Sequence, residues 1–271
     1  MRKLTHYTLN VVTFIIAGLV FFPIAWTALT GLKTEPDALA IPPIFAFRPD
    51  FSTYMTLLQS GDYFHYLSNS ALIVVLSTLT ALAFGLPAAY TMAFHAGKNA
   101  DRALFFVLST RFMPTVGLIV PLYILYARLW LLDSHVGLMI LYTALGLPVA
   151  IWLMRSFFAE IPFAIIEAAM IDGAGHASIF WRIVLPLSIP GLFTTSILIA
   201  IFAWNEFFFA VNLTTYKAAT LPVYMASFFT TEGLSWAKMS AAATLSLLPI
   251  LILGWSVQRS LVRGLTFGAF K

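Results

Sequence analysis

Six stretches of this chain, near Leu9–Leu32, Leu67–Phe94, Ala103–Leu129, Val136–Met154, Ile189–Leu213 and Met239–Val257, are each apolar over the length of a bilayer crossing. Crossing roughly 30 Å of hydrocarbon at about 1.5 Å per residue takes about 20 residues of helix. Hydrocarbon offers backbone amides no partner, so a spanning segment must satisfy its own hydrogen bonds, as a helix does. The pattern predicts an all-α polytopic membrane protein with six transmembrane helices. Composition agrees: only 10% of the 271 residues are charged, against roughly 25% in soluble domains.

Arg2 and Lys3 precede the first stretch, and Ala38-Leu39-Ala40 resembles a small-residue cleavage site. A secretory signal has an apolar region of about 7–15 residues, shorter than this one, so the segment reads as a retained anchor. Lysine and arginine placement then sets orientation. With both termini cytoplasmic, the inner side holds Arg2, Lys3, Lys98, Arg102, Arg155, Arg182, Arg259, Arg263 and Lys271, and the outer side Lys33, Arg48, Arg128, Lys217 and Lys238. Nine against five favours that orientation. The net charge of +4 is thus mostly topology, with no basic run suited to nucleic acid.

Several chemistries are missing from the pattern. The chain has no cysteine, which removes disulfides and thiolate chemistry, and His6, His65, His95, His135 and His176 lack ligand spacing, so no metal site is expected. Gly97-Lys98-Asn99 lacks the upstream glycine and the Ser or Thr of a phosphate loop. No catalytic acid/base pair stands out either. The chain reads as a single integral membrane domain, 1–271, that does not hydrolyse ATP by itself and is expected to bind no cofactor.

Two excursions are assigned to the outer side. The 33–66 loop carries Pro36, Pro42, Pro43 and Pro49, which argue for an ordered cap or a docking loop rather than one helix. The stretch 214–238 clusters Tyr216, Tyr224, Phe228, Phe229 and Trp236, either a packed lid or a contact surface for a delivery protein.

On the inner side, 160–187 is too charged to cross a bilayer yet strongly patterned. Pro162 suits a helix start, Phe163 to Asp172 reads as a short helix, and Gly173 and Gly175 supply a turn. Ser178 is placed to cap a second helix whose apolar stripe is Ile179, Phe180, Ile183, Val184 and Leu187, ending or kinking at Pro186. The product is a helix-turn-helix elbow.

Glu167-Ala168-Ala169, three residues, Gly173, nine residues, Ile183, one residue and Leu185-Pro186 resembles the complete EAA motif of ABC-importer permeases. Asp172-Gly173-Ala174 and Phe180 are similar to the form found in the carbohydrate branch, as are Arg111-Phe112-Met113-Pro114 and Trp204-Asn205-Glu206. The ending Arg263-Gly264-Leu265-Thr266-Phe267-Gly268-Ala269-Phe270-Lys271 resembles the tail of maltose-type, MalG-like permeases. The resemblance implies a bacterial inner-membrane subunit paired with a second, MalF-like permease, a homodimeric MalK-like ATPase and a solute-binding protein. It implies that ATP and magnesium sit on the ATPase, and that the elbow docks in an ATPase groove. Small residues at Ala168, Ala169, Gly173 and Ala174 suit close approach, and Glu167 suits a charge-assisted bond to a basic groove residue. Asp172 is expected to hold the turn by local hydrogen bonding. The tail, with Arg263, Gly264, Gly268 and Lys271, is implied as a second ATPase contact.

Two intramembrane features point to a translocation path. Arg111 lies about 12 Å into the third stretch by helical rise, which is costly unless it faces a cavity or partner; it is either part of the path or a gate, or a snorkelling or buried structural cation. Trp204, Asn205 and Glu206 offer an aromatic face with amide and carboxylate groups, suited to a sugar ring or to helix-end packing. Pro87, Pro114, Pro121 and Pro148 either open backbone groups towards a cavity or simply kink their helices. The rival classes are a self-contained secondary carrier, for which no inverted repeat is visible, and an intramembrane enzyme, for which no catalytic set is visible. Alternating access driven by a partner ATPase, importing a sugar, polyol or related derivative, is the expected function.

Overall fold

Leucine, isoleucine, valine and phenylalanine runs fold here into helices, which keep most of their backbone hydrogen bonds internal and are interrupted at Met113-Pro114 and after Trp204. The computed structural model describes residues 2–95, 97–230 and 233–267. The helices α1 (Arg2–Thr30), α2 (Glu35–Leu39), α3 (Ser52–Gln59) and α4 (Asp62–Phe94) are followed by α5 (Ala100–Ser109), α6 (Thr115–Arg128) and α7 (His135–Ala159). Then come α8 (Phe163–Ile171), α9 (His176–Ile179), α10 (Leu185–Leu187), α11 (Ile189–Trp204), α12 (Phe208–Leu213) and α13 (Leu221–Ala226). An antiparallel hairpin of β1 (Phe229–Thr230) and β2 (Gly233–Leu234) precedes α14 (Trp236–Phe267). Among the described residues the fold is all-α but for this hairpin.

Among the described residues three helices are long and apolar enough to cross a membrane: Leu9–Thr30, Asp62–Phe94 and His135–Ala159. Two pairs, Ala100–Phe112 with Thr115–Arg128 and His176–Leu187 with Ile189–Trp204, reach that length only jointly and are bent by 87° and 78°. The count is five if each bent pair is one crossing, and the apolar part of α14, Trp236–Ile252, is shorter. The stretch Ala103–Leu129 is therefore not one continuous helix. Met113 precedes Pro114 and takes an extended ψ of 129°, as the proline ring demands of its neighbour, and Pro114 then starts α6. Ile189–Leu213 is likewise interrupted, between Trp204 and Phe208.

The chain forms two compact units, one of Met1–Leu67 with Val223–Pro249, the other of Ser68–Pro222 with Ile250–Lys271. In the first, Gly31 lies so close to Ala241 that an added Cβ would stand 2.9 Å from its backbone. The Glu35 carboxylate accepts the Ala237 and Lys238 amides, both at 3.1 Å, capping the start of α14. In the second, α4, α7 and α11 meet through small residues. A Cβ on Gly85 would stand 2.7 Å from that of Ala150, and one on Gly146 2.9 Å from Ile199, the close backbone approach that membrane helices use in place of a hydrophobic drive.

Asp133, in the turn between α6 and α7, fastens the chain that follows α12. Its carboxylate accepts the Thr215 hydroxyl at 2.6 Å and the amides of Thr215, Tyr216, Lys217 and Ala218 at 3.0–3.3 Å. Burial by itself pushes this carboxyl up, but these hydrogen bonds outweigh it and hold it far below the usual carboxylate range. Because the folded group is the stronger acid, its contribution is complete above the unfolded value of about 3.9 and fades as the pH falls below that. Asp133→Ala is expected to cost about 1 kcal/mol, read as a lower unfolding midpoint of the purified protein at pH 7 and a smaller difference at pH 3.

Candidate functional site

The elbow is built on a glycine. At the end of α8, Gly173 takes φ +82°, a left-handed conformation that L side chains resist. The Ala174 amide returns to the Ala169 carbonyl at 2.9 Å and the Gly173 amide to Met170 at 3.0 Å, the paired bonds of a Schellman cap. Nothing lies within 4 Å of a Cβ built on Gly173, so the requirement there is conformational rather than steric. Gly173→Ala is expected to cost about 1–2 kcal/mol of elbow stability and Gly173→Asn clearly less. Hydrogen exchange of the Ala174 amide separates the two.

The elbow has one inward and one outward face. Ile166, Ala169, Ile179, Phe180 and Val184 are buried in one cluster with Tyr90 of α4 and Met154 and Phe158 of α7. The Phe180 ring meets Tyr90 edge-on at 5.3 Å and Phe158 at 6.4 Å. Outward lie Glu167, Ala168, Met170, Ile171, Asp172 and Gly173, with Ile171 85% exposed. Ala174, Ile183 and Leu185 are half-buried and Pro186 is exposed. Glu167 makes no hydrogen bond or ion pair among the described residues.

Three details differ from the sequence reading. The second helix begins one turn earlier than a Ser178 cap requires, with Gly175 in the capping position and no side-chain cap. The carboxylate of Asp172 makes no hydrogen bond among the described residues, the turn being held by backbone bonds instead. Leu187 leaves the stripe and is 55% exposed. Residues Phe180–Val184 form a π turn, with the Leu185 amide reaching back to Phe180. The wider turn relieves the clash that Pro186 would otherwise make one turn back, and it rotates the following residues off the buried face.

A cavity of about 300 Å³ lies among α6, α7 and α11. Arg111 reaches it from the short turn that joins α5 to α6, donating from Nη1 to the Leu145 carbonyl at 3.0 Å, with Phe202 5.6 Å from its guanidinium carbon. Glu206 reaches it from the break after α11. Its Oε1 accepts the Phe209 amide at 2.9 Å, while Oε2 accepts the Ala210 amide at 3.1 Å and the Tyr142 hydroxyl at 2.9 Å. The carboxylate thus caps α12 and ties it to α7. Trp204 and Asn205 stand elsewhere. Trp204 is buried beside Val74, Ile201 and Ile250, because Ile199, Phe202 and Ala203 form the cavity face of α11 and Trp204 points away from it. The Asn205 amide donates to Ile201 one turn back, at 2.8 Å.

The sequence did not single out Tyr142 or Asp133, nor the pairing of His95 Nε2 with His176 Nδ1 at 3.2 Å across 81 residues. A tyrosine in an apolar run gives no local signal of a long-range carboxylate partner. Of the tail residues, Gly268 and Lys271 lie outside the described residues, and only the helical backbone of Arg263 and Gly264 is described.

Residues 82–266, which hold both the elbow and the cavity, match the family of binding-protein-dependent transport system inner membrane components. The chain is 37% identical over 257 residues to a probable ABC transporter permease, y4oR, of Sinorhizobium fredii, covering 95% of this chain and 92% of that one. It is 33% identical over 261 residues to the trehalose/maltose transport system permease MalG of Thermococcus litoralis, covering 95% and 94%. Its fold is similar to a chain of a bacterial ABC transporter involved in the import of the acidic polysaccharide alginate, with TM-score 0.75 and 22% identity over 95% of this chain and 96% of that one. By this match and these identities, the chain belongs to the binding-protein-dependent transport system inner membrane components.

Proposed function

We propose that this protein is the permease subunit through which an ATP-driven importer takes up a sugar, polyol or related carbohydrate derivative delivered by a solute-binding protein. The observation that carries the reading is the elbow: a capped turn with an unpartnered acidic and small-residue face outside, fastened inside to α4 and α7. Such a part is suited to transmit a push. Closure of an ATPase dimer draws its docked elbow inward, and helices packed on that elbow move with it as one body, exposing a central cavity alternately to either side.

The carbohydrate assignment follows the permeases of similar sequence, named for trehalose and maltose and for sulfoquinovosyl glycerol. In this reading there are six crossings, each bent pair counting as one and α14 as the sixth, with both termini in the cytoplasm. Arg111 and Glu206 line the path, a second MalF-like permease completes it, and a homodimeric MalK-like ATPase binds the nucleotide and magnesium. The segment 160–187 is the ATPase-coupling loop and 33–66 lies outside.

The test is uptake of radiolabelled saccharide into vesicles that hold the chain with its partner permease and ATPase, with binding protein added outside. Uptake that needs ATP and binding protein is expected. Uptake by this chain alone, driven by an ion gradient, overturns the reading.

A further inference from the structure

A second pocket, of about 260 Å³, lies within the first unit, between the end of α1, the segment after it and the start of α14. It takes no part in the coupling or cavity described above. Lys33 lines it and is only 2% exposed, yet its Nζ hydrogen-bonds a single oxygen, the Ile44 carbonyl at 2.7 Å, and otherwise faces the rings of Trp26 at 4.4 Å and Phe47 at 5.1 Å. A lysine this buried ordinarily pairs with a carboxylate. Asp37 lines the same pocket but does not pair with Lys33, and its carboxylate accepts no hydrogen bond among the described residues. A donor and an acceptor are therefore held apart across one small space.

The remaining polar wall mixes acceptors with the Ser240 hydroxyl and the Trp236 indole N–H. The hydroxyls of Thr27 and Thr30 spend their protons on the Pro23 and Trp26 carbonyls, at 2.9 and 2.8 Å, so towards the pocket these oxygens only accept. Trp236, 43% exposed, supplies an open aromatic surface. A wall that holds a carboxylate, two accepting threonine oxygens, a serine hydroxyl and a cationic donor suits a ligand with both O–H donors and oxygen acceptors. An anion would meet Asp37 and the two threonine oxygens, and an apolar ligand would strand Lys33 and Asp37. A hydroxyl both donates and accepts, and the C–H face of a sugar ring suits an indole. The volume falls just short of the ~300–1,000 Å³ of drug-sized sites, room for one ring rather than an oligosaccharide.

We propose that this pocket is a saccharide subsite that holds one neutral pyranose ring, with Asp37 accepting from ring hydroxyls, Lys33 donating to a ring oxygen and Trp236 covering the C–H face. It is separate from the cavity of Arg111 and Glu206 and rests on the pocket's own donors and acceptors.

Saturation-transfer NMR of the transporter, purified with its partner subunits in nanodiscs and without binding protein, tests it with methyl α-D-glucopyranoside as probe and glycine as the zwitterionic control. The glucoside signal is expected to fall about tenfold in Asp37→Asn, the loss of one charge-assisted hydrogen bond. It should fall also in Trp236→Leu and persist in Trp152→Leu, an exposed indole of α7 outside the pocket. An unchanged signal in Asp37→Asn, a signal from glycine but not the glucoside, or no glucoside signal at all overturns the proposal. Because unfolding would mimic a loss, each variant is compared at an unchanged melting temperature, and Trp236→Leu serves if Asp37→Asn fails to assemble. Failure of the translocation reading looks different: no ATP-dependent uptake, with the pocket signal intact.

Discussion

Phe180→Ala is expected to separate ATP hydrolysis from uptake. The ring lies 6% exposed between Tyr90, Phe158 and Trp181, with centroids 5.3, 6.4 and 4.9 Å away. Removing it leaves a void at the joint of elbow and bundle, and such truncations cost about 3–5 kcal/mol when neighbours cannot collapse. The outward residues Glu167 and Ala168 stay on α8, so docking to the ATPase should survive while motion of the elbow no longer obliges α4 and α7 to follow. Phe180→Leu, which keeps most of the volume, should recover most of the coupling. ATPase rate and saccharide uptake measured on the same vesicles give the comparison. Equal loss of both in Phe180→Ala, at normal expression, would count against a joint that acts after docking.

Glu206→Gln is the second large effect. Both carboxylate oxygens serve only as acceptors, one for the Phe209 amide, the other for the Ala210 amide and the Tyr142 hydroxyl. An amide offers one such oxygen, and its NH₂ must then face a donor whichever way it is turned. The expected cost is about 1–3 kcal/mol, with the start of α12 released from α7. Tyr142→Phe removes one of these donors and leaves the cap on α12, so its effect should be smaller. In the double variant the losses should fall short of their sum, because the two residues share one bond. Melting temperatures of the four purified proteins supply the cycle.

The elbow was legible in the sequence because its determinants are local: a glycine at the left-handed position, alanines around it, apolar residues at helical spacing and a proline after them. The three unbroken apolar helices were legible for the same reason. The sharp break at Met113-Pro114 was foreshadowed by the proline, but its 87° bend depends on what packs on either side. The interruption after Trp204 was not foreshadowed, since Asn205 and Glu206 continue a helix as well as they end one until Tyr142 and the amides of α12 are in place. Partners far apart in the chain, Asp133 with 215–218, Tyr142 with Glu206 and His95 with His176, leave no periodic mark. The same holds for Leu187, whose exposure follows from the π turn that no pattern of apolar residues announces.

The chain has no cysteine of its own, which permits the most direct test of the central claim, that the outward face of the elbow is where a soluble ATPase grips this subunit. A single cysteine at Ala168, on that exposed face, and another at Phe45, 75% exposed in the 33–66 segment, would be joined to neighbouring proteins in the assembled transporter by a short bifunctional thiol–amine reagent. The account predicts that Ala168→Cys captures the ATPase subunit, with a yield that changes when ATP is bound, and that Phe45→Cys does not capture it. Capture of the ATPase from position 45, or its failure from position 168 in a complex that still hydrolyses ATP, would contradict the account.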